Sequence, residues 1–139
     1  MRKLVTDTNV FISSLIQRSY PYLITTELFS NKNSQLFISN DIFEEYAEVL
    51  FREKFTRFPD FTAKAQTLLT KIKNKATSCE PTSKVTLIND LSDNKFLELC
   101  ETCNADFLIT GNTNDFRINN YKGTKIMAPK EYWEKYIAR

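Results

Sequence analysis

The chain has 139 residues, 42% hydrophobic and 26% charged, an ordinary globular composition that argues against disorder. Its 19 basic and 17 acidic residues leave a net charge of +2, too balanced to announce a nucleic-acid binder, because phosphate attraction depends on local clustering. It contains no histidine, which excludes His-based acid–base catalysis, Ser-His-Asp triads and His-ligated metals, and leaves carboxylates with a hard cation such as Mg2+ or Mn2+ as the groups for chemistry.

In chain order, residues 2–6 read as a short buried strand ending at Asp7, and residues 9 to about 17 carry Val10, Phe11, Leu15 and Ile16 at helical spacing. Pro21 opens a second helix to about Ser30, residues 31–34 form a loop, and residues 35–39 a second strand. Asn40 or Asp41 caps a helix reaching about Lys54, and Pro59-Asp60 starts another reaching about Ala76, with Ala65, Leu68, Leu69 and Ile72 on its apolar side. Residues 79–82 are irregular, and residues 85–88 form a short extended piece. Asp90 or Ser92 then caps a helix through about Thr102. A strand over 106–110, a loop over 111–120 and a strand over 124–127 come next, and Pro129 opens a last helix anchored by Tyr132, Trp133 and Tyr136. Strands alternating with helices imply a mostly parallel sheet covered on both faces, in one domain spanning residues 1–139. Ligands of such sheets gather beyond the carboxyl ends of the strands, where the strand order reverses.

No apolar run approaches the roughly 20 residues of a membrane span, and the start reaches Asp7 too soon for a signal peptide, so a soluble cytoplasmic protein is expected. Cys79, Cys100 and Cys103 are too few soft ligands for a structural zinc site without histidine, and read as reduced, buried thiols.

Four places carry acids toward the expected crevice. Asp7 follows the first strand, where a carboxylate can face a ligand or cap the next helix with equal ease. On the third helix, Ile42, Phe43, Tyr46, Val49 and Leu50 define an apolar stripe at about 100° per residue. Glu44 and Glu48 fall opposite it and are solvated; Glu45 lies at its edge, as a functional acid or a surface salt bridge. Asp93 falls in the first turn of its helix, which the helix dipole also favours, and Lys95 beside it could balance an acidic pocket or contact phosphate. Thr110, Asn112 and Asp115 emerge from the same sheet end as Asp7. Two carboxylates ~4 Å apart repel by about 4 kcal/mol at an effective dielectric of 20, so such a cluster takes up protons or a cation.

Leu4-Val5-Thr6-Asp7-Thr8-Asn9 resembles the opening signature of PIN domains. Ile42 to Leu50 with Arg52-Glu53-Lys54-Phe55, then Asp90 to Leu99, then Ala105 to Asn112, resemble the three later signatures of the bacterial toxin-like members, in family order. The resemblance implies a three-layer α/β/α sandwich, a site of Asp7, Glu45 and Asp93 binding magnesium or manganese, and metal-dependent cleavage of RNA. It implies Asn9 and Thr110 as supporting residues. Many members place an Asp where this chain has Asn112; Asp115 matches the Asn-x-x-Asp-Phe variant of VapC-type toxins, with Asn112 as a neutral ligand or water-positioner. The expected role is the endoribonuclease toxin of a type II toxin–antitoxin pair, with a small antitoxin as partner and a homodimer as a further possibility. Asn112 keeps open the alternative of a weakened PIN fold acting through RNA or protein contacts, and a phosphoacceptor domain is disfavoured by the single acid after the first strand. Lys95, with Arg52, Lys54, Arg57 and Arg117, would guide the strand. Lys64, Lys71, Lys73 and Lys75 read instead as a solvated helix face, given the near-neutral total.

Overall fold

Leu4 and Val5 are adjacent and both fully buried, so the strand β1 (Arg2–Thr6) is covered on both faces, as a central parallel strand must be. β1 pairs in parallel with β2 (Ser34–Ile38) on one side and with β4 (Phe107–Ile109) on the other. The two-residue β3 (Thr77–Ser78) adds in parallel to β2, and β6 (Thr124–Met127) to β4. β5 (Asn120–Tyr121) is the antiparallel partner of β6 at the edge. The computed structural model describes residues 1–30, 32–82, 91–111 and 119–138, the side chains of 91–93 excepted. Among them the sheet has six strands in the order β3-β2-β1-β4-β6-β5. The chain moves outward from β1 to β3 in one direction and restarts on the other side at β4, so the order reverses between β1 and β4.

Among the described residues the helices are α1 (Thr8–Ile16), α2 (Tyr20–Ser30), α3 (Asn40–Leu50), α4 (Phe61–Lys75), α5 (Leu91–Cys103) and α6 (Pro129–Tyr132), which widens into a π turn over Trp133–Ile137. The strands' period of two sends alternate residues to opposite sides. Leu4, Phe107, Ile109 and Met127 meet Val10, Ile24 and Tyr132 of α1, α2 and α6. Val5, Leu108 and Ile126 belong to the larger cluster, with Phe96, Leu97, Leu99 and Cys100 of α5 and the buried sides of α1, α3 and α4. Each large side chain fully buried this way contributes roughly 1.5–3 kcal/mol. The result is the three-layer α/β/α arrangement expected.

The differences lie at element ends. Ser39, not Asn40 or Asp41, caps α3: its Oγ accepts the Ile42 amide at 3.2 Å. α3 stops at Leu50, and a 3-10 turn over Glu53–Phe55 replaces its expected last turn. β3 and β5 were not anticipated, because two residues carry no periodicity. β5 and β6 are joined by Lys122 (φ 49°) and Gly123 (φ 91°), the paired positive φ of a type I′ hairpin, where Gly123 supplies freedom no side chain has. The expected extended piece at 85–88 lies outside the described residues. Cys100 and Cys103 are buried and, with Cys79, free; burial raises the thiol pKa of Cys100 and lifts that of Cys103 to about 11, so both stay protonated. Among the described residues no helix is long and apolar enough to cross a membrane.

Candidate active site

β1 and β4 end side by side at the reversal of strand order, and the residue after each strand meets the other. The Asp7 amide donates to the Ile109 carbonyl at 2.9 Å, and the Thr110 hydroxyl donates to Asp7 Oδ2 at 2.8 Å. Asp7 is 6% exposed and Thr110 fully buried, so the carboxylate is held in the crevice by a bond that water does not compete for. Asp7 also occupies the N-cap position of α1, but its side chain accepts no capping hydrogen bond there. The nearby Thr8 and Asn9 amides only temper its charge. The bond from Thr110, just past the end of β4, holds this side chain across the crevice.

Burial raises the Asp7 pKa above that of an ordinary aspartate, opposed by the Thr110 hydroxyl and the Asn9 amide and reinforced by the charge of Glu45. Glu45 stands on α3 where the apolar stripe ends. Ile42, Tyr46 and Leu50 are buried, Glu44 and Glu48 exposed, and Glu45 is 19% exposed. The Thr8 hydroxyl, next in sequence to Asp7, donates to Glu45 Oε2, and Lys95 Nζ on α5 meets Glu45 Oε1 at 2.7 Å. Beside it the Tyr46 hydroxyl donates to the Thr6 carbonyl, tying α3 to the end of β1; burial, with the charges of Asp7 and Glu45, raises the Tyr46 pKa and keeps it a donor. The salt-bridge reading of Glu45 is met by Lys95, and the same carboxylate accepts from the residue next to Asp7.

Asp93 is the third residue of α5, two positions before Lys95, in the first turn as expected; its side chain lies outside the described residues. Asn112, Asp115 and Arg117 also lie outside them. Asn9 is exposed at the start of α1. Arg52 is drawn into a surface pair with Glu48 at 2.8 Å, and Lys54 and Arg57 lie over the rings of Phe55 and Phe58 at 5.2 and 5.0 Å. The role of Thr8 was not legible in the sequence; the signal available was its adjacency to Asp7 in the Asp-Thr-Asn run.

The described donors fit a hard divalent cation in kind: the carboxylate oxygens of Asp7 and Glu45, within electrostatic reach of each other and partly desolvated, with no thiol among them. In number they are two, and no group of three potential ligands gathers among the described residues, Asp93 and Asp115 being the acids that would complete it.

A family model described as PIN domain matches residues 3–114, a span that includes Asp7, Glu45, Asp93 and Thr110 and ends one residue before Asp115. Among solved structures, a chain of VapBC2 from Rickettsia felis, bound to a DNA fragment from their promoter, is similar with a TM-score of 0.59 and 15% identity. The match covers 91% of this chain and 98% of that one. No curated protein matches.

Proposed function

This chain belongs to the PIN domain family, and from that premise we propose that it is a Mg2+- or Mn2+-dependent endoribonuclease, the toxin of a type II toxin–antitoxin pair. The observation that carries the reading is Asp7: a buried carboxylate at the point of strand reversal, clamped by Thr110 and within electrostatic reach of Glu45. Asp7, Glu45, Asp93 and Asp115 would hold the ion, with Asn112 as a neutral ligand or water-positioner. When bound, such an ion supplies a water of lowered pKa and neutralises charge on a phosphoryl group.

The chain's own residues do the positioning. Thr110 leaves one Asp7 oxygen free of its bond and fixes the direction of the other. Thr8 fixes Glu45 Oε2 in the same way, and Lys95 Nζ, at 2.7 Å from Oε1, stands where its ammonium can exchange the carboxylate for an RNA phosphate. Asn9, exposed at the mouth, is a polar neighbour for the strand. The VapBC2 likeness and the family resemblance support a small antitoxin as the restraining partner, with a homodimer compatible with it.

The test is cleavage of total cellular RNA by the purified chain with Mg2+, with Mn2+ and with chelator. Cleavage that needs the metal and disappears in Asp93→Asn, with folding intact by circular dichroism, is the expected result. Equal cleavage by Asp93→Asn and parent, or cleavage indifferent to chelator, would sink the reading.

A further inference from the structure

The net charge of +2 conceals an uneven distribution. The stretch 61–79, made of α4 and the short segment after it, holds four lysines and no acid, which leaves 15 of the 19 basic residues against all 17 acids elsewhere. Lys64, Lys71, Lys73 and Lys75 are all exposed, among neutral, small or polar neighbours such as Thr67, Thr70 and Asn74. At about 100° per residue, Lys64, Lys71 and Lys75 fall within roughly 40° of one another, on one flank of the helix. Lys32 joins Lys75 at the foot of this flank, where they line a hollow of about 450 Å³ beside Phe29 and Gln35.

Among the described residues, Lys95, Lys122 and Lys135 pair with Glu45, Glu101 and Glu131. Among the described residues no carboxylate lies within ion-pair distance of the α4 lysines; Lys75 is steadied by the Phe29 carbonyl at 2.9 Å. A row of uncompensated cations without apolar surface between them repels itself, and a polyanion relieves that repulsion. α4 also packs on α1 and α3, the helices that carry Thr8 and Glu45. Its flank leads away from them to the amino end of the sheet, where Lys75 and Lys32 lie beside Met1 and Gln35, a path for a strand that extends beyond the site. We propose that the Lys64–Lys71–Lys75 flank of α4, with Lys32 at its foot, is a sequence-independent docking strip for the phosphate backbone of single-stranded RNA, a proposal that rests on the ribonuclease reading above.

Each phosphate neutralised on a single strand contributes about −0.7 to the slope of log affinity against log salt. Binding of a short unstructured oligoribonucleotide to the full chain, in chelator and over a salt series, therefore measures the strip. Replacing Lys64, Lys71 and Lys75 by Gln is expected to make the slope shallower by about 2 and to weaken binding at least tenfold at low salt. Replacing Lys122, Lys130 and Lys135 by Gln removes the same charge elsewhere and leaves the slope in place. An unchanged slope in the α4 variant, or an equal loss in the control, overturns the proposal. So does a preference of the α4 flank for polyglutamate over RNA, which would name an acidic protein as its partner. Metal-dependent cleavage by the parent, assayed separately, keeps the two readings apart: cleavage with no α4 dependence of binding removes the strip alone, and α4-dependent binding without cleavage removes the nuclease alone.

Discussion

The two ends of β1 carry polar clusters of similar size and opposite character. At the amino end, Arg2 donates to Glu27 at 3.0 Å, to Ser34 at 3.1 Å and to the Tyr132 hydroxyl at 3.0 Å, while Ser34 donates to both Glu27 oxygens. One cation meets one anion, and α2, β2 and α6 are locked to the sheet. At the carboxyl end, among the described residues, Lys95 pairs with Glu45 and no cation pairs with Asp7. Among the described residues the first cluster balances its charges, and the second holds one more carboxylate than cation. A buried carboxylate without a cation costs the fold stability, so the difference sets a balanced structural network against the site that the proposed function assigns to an ion.

The comparison can be broken at either end. The largest effect is expected from Glu27→Ala, which leaves the Arg2 guanidinium without its anion: a loss of roughly 2–3 kcal/mol in urea unfolding, short of the cost for a fully buried pair because Arg2 remains 27% exposed. RNA cleavage per folded molecule should not change; a specific loss of turnover would make the amino-end cluster part of the machinery. Next, Lys95→Met removes the tethered cation from Glu45. Manganese affinity by calorimetry should tighten by about tenfold, since one positive charge no longer competes for the acids, and unchanged affinity would make this pair as closed as the one at Arg2.

The smallest effect concerns Asp7 without metal. Its folded pKa is raised, so the protonated form is the one that folding favours. The cost is absent below the ordinary aspartate value of 3.8, builds as pH climbs from there through the folded pKa, and is constant above it. Asp7→Asn should therefore raise the melting temperature of metal-free protein at neutral pH by roughly 3–6 °C, with the gain vanishing in acid below the ordinary range. A destabilised variant at neutral pH would mean that the carboxylate is already compensated, and the contrast between the two ends would fall.

Part of the site is legible in the sequence alone. Glu45 separates from Glu44 and Glu48 by helical projection, because three acids on one helix sample three directions and only one borders the stripe of Ile42, Tyr46 and Leu50. Asp7 does not resolve the same way: a carboxylate between a strand and a helix satisfies capping and ligation alike, and only the bond from Thr110, 103 residues later, tells them apart. The amino-end network stays hidden for a related reason. Arg2, Glu27, Ser34 and Tyr132 share no common period, and a buried acid such as Glu27 looks in sequence like any other helical glutamate.

What the sequence determined by itself was the set of elements and their faces, since periodicity, proline placement and capping are local and a few residues suffice to express them. It also excluded histidine chemistry and, through ordered motifs, pointed to the acids. The tertiary structure decided which polar groups share a cation and which do not. Ion pairs such as Glu45 with Lys95, and the strand reversal that sets Asp7 against Thr110, join residues 50 and 103 positions apart. No local pattern encodes such partners, because the sheet order, not the spacing, brings them within a few ångströms.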